Sequence, residues 1–153
     1  MFRKLILMLL ACSLAAGASA VQPGDAPDSR NALAKRFKEI NSKNDCDGLI
    51  DLFYTQGVDD ARRGAFTITM TNYVCANFGR PVTSIAFQVI PADQLRKPKK
   101  FNNTESEYTI PPEGAMVIDY GMSNAGQTTS ISLLYGKFDS KYYLITTRQA
   151  AKQ

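Results

Sequence analysis

The tetrapeptide Phe78-Gly79-Arg80-Pro81 divides this chain into two halves with different hydrophobic periods. Before it, apolar residues recur at three- and four-residue intervals. After it, they recur at every second residue. A helical period followed by a strand period, with a glycine–proline stop between them, predicts an α+β domain in which helices and sheet are segregated along the chain.

On the helical side, Asp28 or Ser29 can accept the free amide protons of a first turn. Leu33, Phe37 and Ile40 then follow at i, i+4 and i+7, with Arg30, Lys35, Arg36, Lys38 and Glu39 largely on the other side. This predicts an amphipathic helix of about fourteen residues, ended by "NSKND". Cys46, Leu49, Ile50 and Phe53 repeat the spacing in a second, shorter helix, with Asn44 or Asp45 as cap and Gly57 as stop.

The third segment is ambiguous. "AFTITMT", Ala65 to Thr71, alternates like a strand, with Phe66, Ile68 and Met70 on one side and threonines on the other. A helix from Asp59 or Asp60 to Phe78 explains more. It uses the acidic first turn, the Gly79 stop and Pro81, and it gathers Phe66, Met70, Tyr73, Val74 and Phe78 into one stripe. Helix is the reading adopted, although threonine is a poor helix former.

On the strand side, "VTSIAFQVI" alternates over 82–90 and Pro91 closes it. "PADQLRKPKKFNNTESE" reads as a long polar loop. "YTI", the turn "PPEG", the strand "AMVIDYGM", the hairpin signal "SNAGQ", the strand "TTSISLLYGKF", the turn "DS" and the strand "KYYLITTRQ" complete an antiparallel meander.

Residues 1–20 have a basic start (Arg3, Lys4), a short apolar run and the small-residue site Ala18-Ser19-Ala20. They read as a secretory signal peptide cut before Val21, which places the mature chain in a periplasm or outside the cell, with no integral membrane segment after processing. The alternative is lipidation at Cys12, which follows "LLA". Residues 21–28 read as a flexible arm rich in Pro, Gly and Asp, and 29–153 as one domain. Loss of Arg3 and Lys4 lowers the net charge from +4 to +2. With no concentrated basic face, nucleic acid is not an expected partner.

Two cysteines remain, Cys46 and Cys75. In an oxidising compartment they are expected to form a disulfide. The chain has no histidine. That removes zinc and copper sites, Ser-His-Asp triads and imidazole bases, and neither a metal nor a cofactor is expected.

The element order, the junction "NFGRPVTSIAFQVI" and the closing hairpin "SLLYGKFDSKYYLITT" resemble the nuclear-transport-factor-like superfamily, of cystatin-like fold, which includes ketosteroid isomerase. The resemblance covers roughly residues 29–148. It implies an α+β roll: three N-terminal helices packed on a curved four-stranded antiparallel meander, around a cone-shaped cavity that serves catalysis, binding or only as a dimer scaffold. A homodimer is therefore among the partners it allows. Fold alone assigns no function.

Several residues could carry chemistry. Asp119 lies mid-strand. Pointed into an apolar cavity, its pKa would rise and it could act as a general base, with Tyr120, Tyr73 or Tyr135 donating to an oxyanion. Alternation, however, puts Asp119 with Val117 on the face opposite Met116, Ile118 and Tyr120. Tyr73, Tyr120 and Tyr135 are also the ligand-binding candidates among seven tyrosines. Arg96, Lys97, Lys99 and Lys100 form the one concentrated basic run, suited to an anionic surface or an acidic partner. Asn102-Asn103-Thr104 matches the glycosylation sequon. The leading expectation is an exported, non-enzymatic binding or accessory protein that engages a protein partner or a small apolar ligand. An isomerase- or hydrolase-like enzyme built on Asp119 and an inhibitor or immunity-type protein are the alternatives.

Overall fold

The computed structural model describes residues 26–151. The expected signal peptide, Cys12 and residues 21–25 of the expected arm lie outside the described residues.

Ser29 caps the first helix, its Oγ accepting from Ala32 N at 3.1 Å. Helix α1 runs Arg30–Lys43 and buries Leu33, Phe37 and Ile40, the stripe its spacing predicts. Asp45 caps α2 (Cys46–Asp51). Contrary to expectation, Phe53 is not in α2. It begins a two-residue strand, β1 (Phe53–Tyr54). Leu144 N donates to Leu52 O at 2.9 Å, and this draws the chain out of the helix and alongside the last long strand.

"AFTITMT" is helical, within α3 (Asp60–Tyr73). Asp59 accepts from Arg62 N through Oδ1 at 3.0 Å and pairs with Arg62 Nη1 through Oδ2 at 2.7 Å. Thr69 fits because its hydroxyl donates to Ala65 O one turn back, at 2.9 Å. The α-helix ends at Tyr73 rather than Phe78, and a 3₁₀ turn over Cys75–Asn77 follows. Gly79 then adopts φ +81°, which lets the chain reverse while its amide donates to Asn41 O at 3.2 Å. The disulfide joins Cys46 to Cys75 with Cα atoms 5.8 Å apart, tying α2 to the end of α3.

The strand half forms β2 (Val82–Val89), β3 (Ser106–Tyr108), β4 (Gly114–Tyr120), β5 (Thr129–Phe138), β6 (Lys141–Ile145) and β7 (Thr147–Gln149). The expected four-stranded meander is present as β2, β4, β5 and β6, but β1 joins it parallel to β6, giving a mixed five-stranded sheet ordered β1-β6-β5-β4-β2. The last predicted strand is split at Thr146, and its β7 half pairs with β3 in a separate two-stranded sheet. The arm is not free over its described part: Tyr142 N donates to Pro27 O at 2.7 Å, and Ala26 is buried.

The helices cover one face of the large sheet. Leu33, Phe37, Ile40, Leu49, Leu52 and Phe53 pack there with Met116, Ile118, Tyr120, Leu133, Tyr135 and Leu144 in one core cluster. Each such buried side chain contributes about 1.5–3 kcal/mol. On the opposite face, the segment around Ile110 crosses the β1–β6 end and closes a second cluster with Ala26, Tyr143 and Ile145. No helix among the described residues is long and apolar enough to cross a membrane.

Candidate functional site

The helix-facing side of the sheet ends in a rim of rings and cations. Phe87 comes from β2, Tyr135 and Lys137 from β5, Tyr142 from β6 and Arg30 from the first turn of α1. Register explains how they meet. Gly114 of β4 stands opposite both Val89 and Tyr135. Having no side chain, Gly114 leaves room for the Tyr135 ring, and an added Cβ would collide with Gln88 O and crowd that ring. Tyr135 therefore leans across β4 to meet Phe87 edge-on, with centroids 5.1 Å apart. Tyr142 lies 6.3 Å from Tyr135 on the other side.

Two cations border these rings. The Arg30 guanidinium is 5.9 Å from the Phe87 centroid, and its Nη1 donates to Tyr135 Oη at 3.5 Å. That hydrogen bond, with smaller influences that include Glu113, raises the Arg30 pKa further above its already high value. Lys137 Nζ is 5.4 Å from the Tyr142 centroid, opposite it in the β5–β6 register. Among the described residues, neither Arg30 nor Lys137 has a carboxylate within ion-pair distance. A cavity of about 300 Å³ opens here, lined by Asp28, Ser29, Arg30, Asn31, Lys137 and Tyr142.

The tyrosines singled out from the sequence are not brought together. Tyr135 is in the rim and buried. Tyr120 is buried on the same face at the other end of β4, six residues from Gly114, or roughly 20 Å at the rise of a strand. Its hydroxyl has no hydrogen-bond partner among the described residues, and burial pushes its pKa up to about 12. Tyr73 is 72% exposed at the end of α3.

Asp119 lies on the outer face, between Ser84 of β2 and Ser130 of β5. Ser84 Oγ donates to its Oδ2 at 2.5 Å. The Ser84 hydroxyl first, and then that of Ser130, holds the carboxyl below its ordinary range, the reverse of the shift a general base at neutral pH requires.

The basic run is exposed except for Pro98, and it is anchored rather than loose. Tyr108 Oη donates to Arg96 O at 2.6 Å. Lys100 pairs with Glu105 at 2.5 Å, and the Phe101 ring lies 5.0 Å from the buried Arg62 guanidinium of α3. Lys97 and Lys99 form no ion pair among the described residues. The sequon residues Asn102 and Asn103 form the exposed tip of a tight turn closed by the Phe101–Thr104 bridge.

Sequence reading missed Arg30, Phe87 and Lys137 as site residues. Arg30 read as one more solvent-facing charge of α1, and the only signal that could have raised Lys137 was its place on the inner alternation of β5. Among the described residues there is no cluster of three potential metal ligands.

No family model and no curated protein matches the chain. Among solved structures, the chain is similar to one from Campylobacter jejuni provisionally named an NTF2-like transpeptidase. The two are 16% identical, the match covers 74% of this chain and 94% of that one, and the TM-score is 0.42.

Proposed function

We propose that this is an exported binding or accessory protein, without chemistry of its own, that holds a small molecule with an apolar body at the rim of Phe87, Tyr135 and Tyr142. The observation that carries the reading is a cavity large enough for a small ligand with the Tyr142 ring in its wall, at the end of the sheet where the buried Tyr135 ring and Phe87 pack behind it. The enzyme alternative needs a carboxylate of raised pKa in an enclosed site. Asp119, on the outer face with a lowered pKa, does not support it.

A screen of small aromatic and aliphatic compounds against the purified protein, read by amide chemical-shift mapping, tests the proposal. Binders should shift residues 28–31, 137 and 142, and Tyr142→Ala should weaken them. Binders that map only elsewhere would overturn it.

A second reading, capture of an extended segment of a protein partner, is favoured by β2. It is an edge strand of eight residues with no charge and no proline, and Val89 on it is 74% exposed.

A further inference from the structure

The cavity at the rim is bordered by charges that an apolar ligand would leave unused. Arg30 and Lys137 stand on its wall beside Asp28, so the wall carries one more cation than anion. Both cations also sit over rings, Arg30 over Phe87 and Lys137 over Tyr142, which fixes each head where an aromatic surface begins. Ser29 adds a hydroxyl whose oxygen already accepts from Ala32 N, leaving its proton free to donate. Asn31 adds amide donors on the same wall. Planar guanidinium, ammonium, hydroxyl and amide are all donors to an oxyanion, whereas the rings offer only apolar surface and π faces.

From the joining of these two surfaces we infer that the rim is a binding site for small monocarboxylates: the carboxylate between Arg30 and Lys137, and an apolar or aromatic body lying toward Tyr142. The inference rests on the binding reading given above and narrows its ligand class. Asp28 decides between anions. Its carboxylate on the same wall repels a second negative charge, so a singly charged carboxylate fits better than a phosphate dianion. The cavity volume, about 300 Å³, is at the small end of ligand sites and suits a body of about one ring.

The test is a titration of the full protein with benzoate, with its neutral isostere benzamide and with inorganic phosphate, followed by amide chemical shifts. Benzoate should saturate the signals of residues 29–31, 137 and 142, and should bind at least about tenfold tighter than benzamide. Arg30→Gln and Lys137→Gln should each reduce benzoate affinity about five- to tenfold and benzamide affinity by less than about twofold. Arg30→Gln should also lower the melting temperature slightly, because Arg30 donates to the hydroxyl of the buried Tyr135. Equal affinity for benzoate and benzamide at the rim would overturn the carboxylate inference and keep the broader binding reading. Phosphate binding as tightly as benzoate would overturn it too, showing a site that reads charge alone. Absence of benzoate binding at the rim would overturn it, while neutral compounds mapping there in the separate screen would preserve the broader reading.

Discussion

The Arg80 guanidinium lies 5.6 Å from the centroid of the Tyr120 ring, yet the Tyr120 hydroxyl finds no partner among the described residues. The ring is used and its polar tip is not. Tyr120→Phe should therefore keep the cation–ring contact, remove a buried unsatisfied hydroxyl, and leave stability unchanged or raised by about 1 kcal/mol in urea unfolding. A loss of more than about 1 kcal/mol would mean that the hydroxyl bonds a buried water.

The same hydroxyl makes an alkaline prediction. Its folded pKa of about 12 lies above the unfolded value near 10, so the folded state retains a proton that the unfolded state loses. Tyr120's contribution is full below pH 10 and is lost as pH rises toward 12. Wild type should lose stability across that window more steeply than Tyr120→Phe, as followed by denaturant midpoints at stepped pH.

Arg80 also clamps a corner. It donates to Asn77 Oδ1 at 2.7 Å, Thr129 Oγ1 at 2.9 Å, Gly121 O at 2.5 Å and Gln127 O at 3.1 Å. These bonds bind the start of β2 to the β4–β5 hairpin. Arg80→Ala should cost about 2–3 kcal/mol, and Arg80→Lys should recover less than half, because one ammonium cannot serve acceptors spread over a planar fork. Urea midpoints for the two variants decide it.

Asp119 should matter to acid stability rather than to binding. Its folded pKa is lowered by the Ser84 and Ser130 hydroxyls, so its contribution is present above about pH 4 and lost as pH falls through the folded value. Asp119→Asn should lower the melting temperature slightly at pH 6, and the gap to wild type should narrow as pH falls below about 4. Benzoate binding should be unaltered. A large loss of binding would return Asp119 to the list of site residues.

Replacing both Cys46 and Cys75 by serine opens a loop of twenty-nine positions. The expected cost is about 3–4 kcal/mol on the chain-entropy estimate, or about 10–20 °C in melting temperature for a domain of this size. Calorimetry of the double variant against oxidised wild type measures it.

The helix stripe of Leu33, Phe37 and Ile40, the outward side of Asp119 and the Cys46–Cys75 bridge were all legible, because each depends on local spacing or, for the bridge, on the two cysteines left once Cys12 is assigned to the expected leader. β1 was not, since two residues have no period and Phe53 continues the i+7 pattern of α2. The end of α3 was overrun for a related reason: the 3₁₀ turn at Cys75–Asn77 keeps the apolar stripe nearly in line. The rim was only half visible. Tyr135 stood out as an aromatic, but its meeting with Phe87 depends on Gly114 lying opposite it, and strand register is set by the whole sheet.

The pairing of Phe53 with Leu144 joins an early residue to one of the last. Synthesis from the N-terminus delivers residue 53 long before residue 144, so the helical half must wait, with Leu52 and Phe53 uncovered, until the final hairpin arrives to complete the sheet. Any chain cut short before β6 would present that unfinished edge permanently, and quality control would have a clear signal to remove it.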